Sequence, residues 1–160
     1  MNRHGGIAAR RQLRAETGLD CVGYQVRKLN RIVSAIYDEA FDELKLTISQ
    51  FGILAMLSRR GPSTAVELCR LMAMDKSTAS RNLQRMLGRG WLSIRSDDGT
   101  RGQLLSLTGM GSRVFGRAYP LWRKAQAEAT RRLRLDGLRA LDTVLTRITE
   151  GRDRATKILK

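Results

Sequence analysis

The chain has 160 residues, 42% hydrophobic and 28% charged, with only two prolines; this fits one mainly helical domain with a real core. Thirty Lys and Arg oppose fifteen Asp and Glu, and a net charge of +15 draws polyanions: nucleic acid, an acidic membrane surface or an acidic protein. A single histidine, His4, and two cysteines, Cys21 and Cys69, argue against a structural zinc site and against histidine-based catalysis, and no Gly-rich phosphate loop is present, so neither a cofactor nor an enzymatic role is expected.

Residues 1–17 carry Arg3, Arg10, Arg11 and Arg14 without periodic apolar residues, and read either as a basic arm or as a frayed terminus. No charged-then-apolar leader opens the chain, and the longest apolar run, Phe51 to Leu57, is too short to span a bilayer. A soluble, cytoplasmic protein with no membrane partner is expected. From Asp20, Val22, Val26, Leu29, Val33, Ile36, Ala40 and Leu44 recur at spacings of three and four, the stripe of one long helix. That helix outruns the core of one small chain, so part of its stripe is expected to meet another subunit.

Thr47 with Gln50 forms a capping box for a second helix carrying Phe51, Leu54 and Leu57. Ser58 to Ser63 reads as a break. Thr64 with Glu67 starts a short third helix, predicted to turn Ala65, Leu68, Leu71 and Met72 inward. Asp75 is the N-cap of a fourth helix, about 76–87, with Ala79, Leu83, Met86 and Leu87 inward and Gly88 and Gly90 at its end. Two short helices joined in this way are a helix-turn-helix. "WLSIR" and "GQLLSLT" read as strands around the turn "SDDGT", which adds a hairpin and makes a winged helix. Thr108 starts a further helix that Pro120 is expected to bend or divide, and a last helix, about 136–150, shows Leu138, Leu141, Leu145 and Ile148.

The outer side of the fourth helix holds Lys76, Ser77, Thr78, Ser80, Arg81, Gln84 and Arg85. Arg matches the guanine edge through two bonds and Gln the adenine edge, while Ser and Thr reach phosphate or bases without holding the helix away. The backbone N–H groups at the helix start also favour a phosphate. The plain alternative is a solvated polar face, which every surface helix has. Arg95 and Arg101 flank the hairpin tip, where an arginine suits the negative minor groove, and Asp97 and Asp98 are read as turn-forming or arginine-orienting. The expected partner is double-stranded DNA. A less specific architectural DNA- or RNA-binding winged helix uses the same charge and remains the competing class.

"LTISQFGIL", "MDKSTASRNLQRMLGRGWL" and "TRGQLLSLTGMG" together resemble the MarR family of bacterial winged-helix transcription regulators, over about Val22 to Glu150. The resemblance implies a mainly α fold with a small β-hairpin wing. It implies a winged helix-turn-helix over 46–108 and dimerisation helices over 18–45 and 109–160. It further implies a homodimer that binds a near-palindromic operator, most often as a repressor, and that a small aromatic or phenolic ligand or an oxidant releases. Ser77, Thr78, Ser80 and Arg81 match the recognition-helix motif and Arg101 the wing arginine. The sequence departs from the family at Gly99, where an aspartate usually steadies that arginine. Cys21 falls about two residues before the peroxide-sensing position of some members, so it reads either as an oxidant sensor or as a plain packing or surface cysteine, and Cys69 reads as a core filler. Tyr24, Arg27, Tyr37, Phe115, Tyr119 and Trp122 are candidate walls for an aromatic acid, or ordinary core residues.

Overall fold

A computed structural model describes residues 21–96 and 103–158. The segment 1–17 and the turn with Asp97, Asp98, Gly99 and Arg101 lie outside the described residues. Helix α1 is Val22–Ala40. It stops four residues short of the predicted stripe, because the Phe41 side chain turns fully into the core and stacks on Phe51 at 5.2 Å between centroids. A short 3-10 turn, Asp42–Leu44, follows, and Lys45 takes a left-handed backbone (φ 49°). Burying an aromatic ring outweighs adding another helical turn here. The Ile48 N–H donates to the Asp38 side chain at 2.7 Å, which holds the end of α1 against the start of the next helix.

Helix α2 is Ile48–Arg60 and starts on the predicted capping box: the Gln50 N–H donates to Thr47 Oγ1 at 3.3 Å, and the Thr47 N–H to Gln50 Oε1 at 3.2 Å. Phe51, Ile53, Leu54 and Leu57 are buried, and Gly61 ends the helix at φ 82°. The predicted break then contains a two-residue strand, β1 (Ser63–Thr64). Helix α3 (Ala65–Leu71) carries the second capping box, Thr64 with Glu67. Leu68 is buried and Met72 is half-buried, but Ala65 and Leu71 are exposed, contrary to the expected inward stripe. With only two turns, α3 has room for one fully inward position, and Leu68 fills it.

Helix α4 (Lys76–Gly88) follows a tight turn in which Ala73 sits at φ 49°. A Cβ is strained there, and glycine is not. Ala73→Gly is therefore expected to raise stability by about 0.5 kcal/mol, measured by chemical denaturation, with no change in fold.

Strands β2 (Leu92–Ser96) and β3 (Gln103–Leu107) form the hairpin, and the antiparallel sheet has the order β1-β3-β2. Leu92 pairs with Leu107, Ile94 with Leu105 and Arg95 with Leu104. Leu105 also pairs with Ser63, which seats the wing on the break after α2. Helix α5 (Gly109–Ile158) stays helical through Pro120 and leaves helical geometry only at Arg134 (φ 58°, ψ 171°). Two helical segments therefore meet at Arg134: the separate last helix expected from about 136 is present, but the division falls at Arg134 and not at Pro120. Pro120 is exposed, and the carbonyl its ring crowds belongs to Gly116, which is exposed too. Solvent can take up that carbonyl, so the helix absorbs the proline.

Thr108 caps α5: Oγ1 accepts from the Gly111 N–H at 3.0 Å and donates to the Gly90 carbonyl at 2.6 Å. Ala118, Ala125 and Ala129 of α5 are buried in the core with Tyr37 of α1, whose hydroxyl donates to Gln126 at 2.6 Å; burial raises the Tyr37 pKa. Away from this core, Val22, Val26 and Ile32 of α1 and Leu135, Leu145 and Ile148 of α5 each have more than half their surface exposed.

Candidate nucleic-acid interface

Ala79, Asn82, Leu83 and Met86 bury one side of α4. At 100° per residue, the opposite side is Ser77, Arg81 and Gln84, with Lys76, Ser80 and Arg85 on its flanks. All six are exposed, and Thr78 is half-buried. The structure thus brings the predicted helix residues onto one outer surface. Arg95 is exposed on β2, an edge strand of the sheet.

The start of α4 carries the predicted Asp75 cap, with one addition. The Asp75 carboxylate accepts from the Thr78 N–H at 2.8 Å and from the Ser77 hydroxyl at 2.6 Å. These bonds, the Ser77 hydroxyl's foremost, hold its pKa far below the ordinary carboxylate range. It therefore stays charged at any pH at which DNA is bound. The helix start is already filled by an anion, which offsets the pull of its N–H groups on a phosphate, and the cations on this side of the helix are Lys76, Arg81 and Arg85. Arg81 Nη2 donates to Thr78 Oγ1 at 3.4 Å, which leans the guanidinium along the helix toward its N-terminal end.

Two features escape sequence reasoning. Asn82 is a polar residue buried inside the stripe, which apolar spacing alone does not pick out. Arg89, just past the end of α4, donates Nη1 to the Lys45 carbonyl at 2.5 Å and lies 4.7 Å from the Trp91 ring centroid. It ties α4 to the corner between α1 and α2, across 44 positions that no local spacing relates.

The candidate ligand walls separate into two groups. Phe115 and Trp122 pack on Phe51 at 5.5 and 5.8 Å, and Tyr119 stacks on Trp122 at 5.8 Å, so these rings are an aromatic column at the core's edge. Tyr24 and Arg27 sit apart, on the exposed half of α1. Cys21 is exposed at the start of α1 and Cys69 is half-buried on α3. Among the described residues, no cluster of His, Cys, Asp or Glu has the make-up of a metal site, and no helix is long and apolar enough to cross a membrane.

A short capped helix, a tight turn, an exposed cationic second helix and an antiparallel wing define a winged helix-turn-helix DNA-binding regulator. The profile of the MarR family matches residues 44–102. The transcriptional regulator MosR of M. tuberculosis, solved in complex with DNA, is 30% identical; the match covers 82% of this chain and 98% of that one, with a TM-score of 0.71. The multiple antibiotic resistance protein MarR of Escherichia coli is 24% identical over 129 residues, 79% of this chain and 90% of that protein. The HTH-type transcriptional repressor NicR of Pseudomonas putida is 29% identical over 104 residues, 64% of this chain and 66% of NicR. The chain belongs to the MarR family of winged-helix transcription regulators.

Proposed function

We propose that this protein is a sequence-specific repressor that binds a near-palindromic operator in the cytoplasm as a homodimer and is released by a small aromatic or phenolic ligand. The observation that carries the reading is the outer face of α4. Arg81 and Gln84, the side chains suited to guanine and adenine edges, stand opposite the buried stripe with Lys76, Ser77, Ser80 and Arg85 around them. Half-buried Thr78 supports Arg81. Arg95 and Arg101 are assigned to the flanking backbone and minor groove.

The division of labour follows: residues 46–108 read DNA, and residues 18–45 and 109–160 pair the subunits. The uncovered apolar residues of α1 and α5 support the pairing, since exposed apolar stripes on two helices suit a subunit seam. Two-fold pairing places the half-sites about one turn, roughly 34 Å, apart. MosR was solved on DNA and NicR is a named repressor, which supports both parts of the reading. The rings of Tyr119 and Trp122, at the solvent end of the aromatic column, supply apolar walls of the kind a planar ligand needs.

Selection of bound duplexes from a random pool tests the proposal. A two-fold motif is expected, and unselective binding would instead favour an architectural role. On the selected operator, Arg81→Ala is expected to lower affinity roughly 10- to 100-fold, or about 1–3 kcal/mol, and to blur one base position in each half-site. Fluorescence anisotropy on operator and random DNA checks this, and an equal loss on both would remove Arg81 from base reading.

A further inference from the structure

Between α3 and α4 runs an apolar trough of about 320 Å³, walled by Val66, Cys69, Leu83 and Leu87. Val66 is 74% exposed at the second position of α3. A β-branched residue adds little helix stability there, and at this exposure it adds little to the core. A lone exposed valine needs no explanation. Val66 is not alone, because the same trough is also lined by Lys76, Ser80 and Gln84, three residues of the proposed reading face. The apolar wall and the DNA-facing flank of α4 are therefore one continuous surface in a chain of net charge +15.

The major-groove edge of a base pair has one apolar group, the 5-methyl of thymine, and it lies beside the O4 acceptor. Cytosine presents an amino donor in place of O4 and has no methyl. A wall that offers a valine methyl next to the Lys76 and Ser80 donors matches thymine on both counts and cytosine on neither. We propose that Val66 contacts the 5-methyl group of a thymine at the flank of each half-site, and so selects thymine there. The inference rests on the operator-binding reading above and adds a reader on α3, outside the recognition helix.

The test uses the full chain and its selected operator, with each thymine replaced in turn by deoxyuridine, which lacks only the methyl. At one symmetry-related position, wild-type affinity is expected to fall about fourfold for one half-site and about fifteenfold for both. Val66→Ser, whose melting temperature is expected to match the wild type because the side chain is exposed, is expected to bind the thymine and uracil operators equally at that position. The inference is overturned if no position is sensitive to uracil, or if Val66→Ser keeps the full thymine preference. A protein that selects no operator at all removes the regulator reading itself; a selected operator indifferent to uracil removes only the Val66 contact.

Discussion

Gly111→Ala is expected to destabilise the protein by about 3 kcal/mol, enough to leave a marginal domain largely unfolded near its working temperature. Gly111 is buried in the first turn of α5, against the backbone that leads into the wing. A Cβ at this position would lie on the Trp91 carbonyl oxygen, far inside van der Waals contact, and 3.0 Å from the carbonyl carbon. No rotamer change relieves a clash with backbone. The backbone cannot easily retreat either. The same carbonyl accepts from the Thr108 N–H at 3.1 Å, and the Trp91 N–H donates to Met86 at 2.9 Å, so moving the peptide loosens α4, β2 and the cap of α5 together. Gly116→Ala is the control: it lies in the same helix with nothing within 4 Å of an added Cβ, and is expected to stabilise by about 0.5–1 kcal/mol. Urea denaturation of the two variants reads the contrast. Equal stability would show that Gly111 is not seated on Trp91.

The second large effect is expected in assembly. Leu145→Asp combined with Ile148→Asp places two carboxylates on the uncovered stripe of α5, where both leucine and isoleucine are mostly exposed in the single chain. Within one chain these positions touch little, so the helical circular-dichroism signal should persist. Across a two-fold seam, two buried carboxylates from each subunit would be too costly to desolvate. The expected product is a folded monomer by sedimentation. One recognition helix covers only a few base pairs, so operator affinity should fall by a factor on the order of 10³, to the level of random DNA. A variant that remained a dimer with unchanged operator affinity would place the subunit seam elsewhere.

What could be read from the sequence was set by range. The capping boxes at Thr47 and Thr64 and the cap at Asp75 are relations across three residues, and each forms as predicted. The hairpin strands and the outward set on α4 follow from periods of two and 3.6, and those also hold. The resemblance to the MarR family rests on the same local series, and the family assignment agrees with it. The misses are long-range or conformational. The Phe41 ring ends α1 because Phe51 waits for it ten residues on. The strand β1 exists only because β3 lies beside it. Ala73 and Arg134 hold positive φ without being glycine, and proline, the usual breaker, leaves α5 helical. For the interface, the helix side chains and the Asp75 cap were legible; the bond from the Ser77 hydroxyl to Asp75 was not, because it depends on rotamers.

Arg89 has a mechanical consequence. Bonded to the Lys45 carbonyl and laid over Trp91, it denies α4 a free pivot at its rear end. The reader is geared to the elbow between α1 and α2, so in the proposed homodimer the pitch between two such readers would follow that elbow as well as the reader itself. A ligand that opened the elbow by a few degrees would throw the two tips out of step with the helical repeat of DNA, and neither reading side chain would have to be touched.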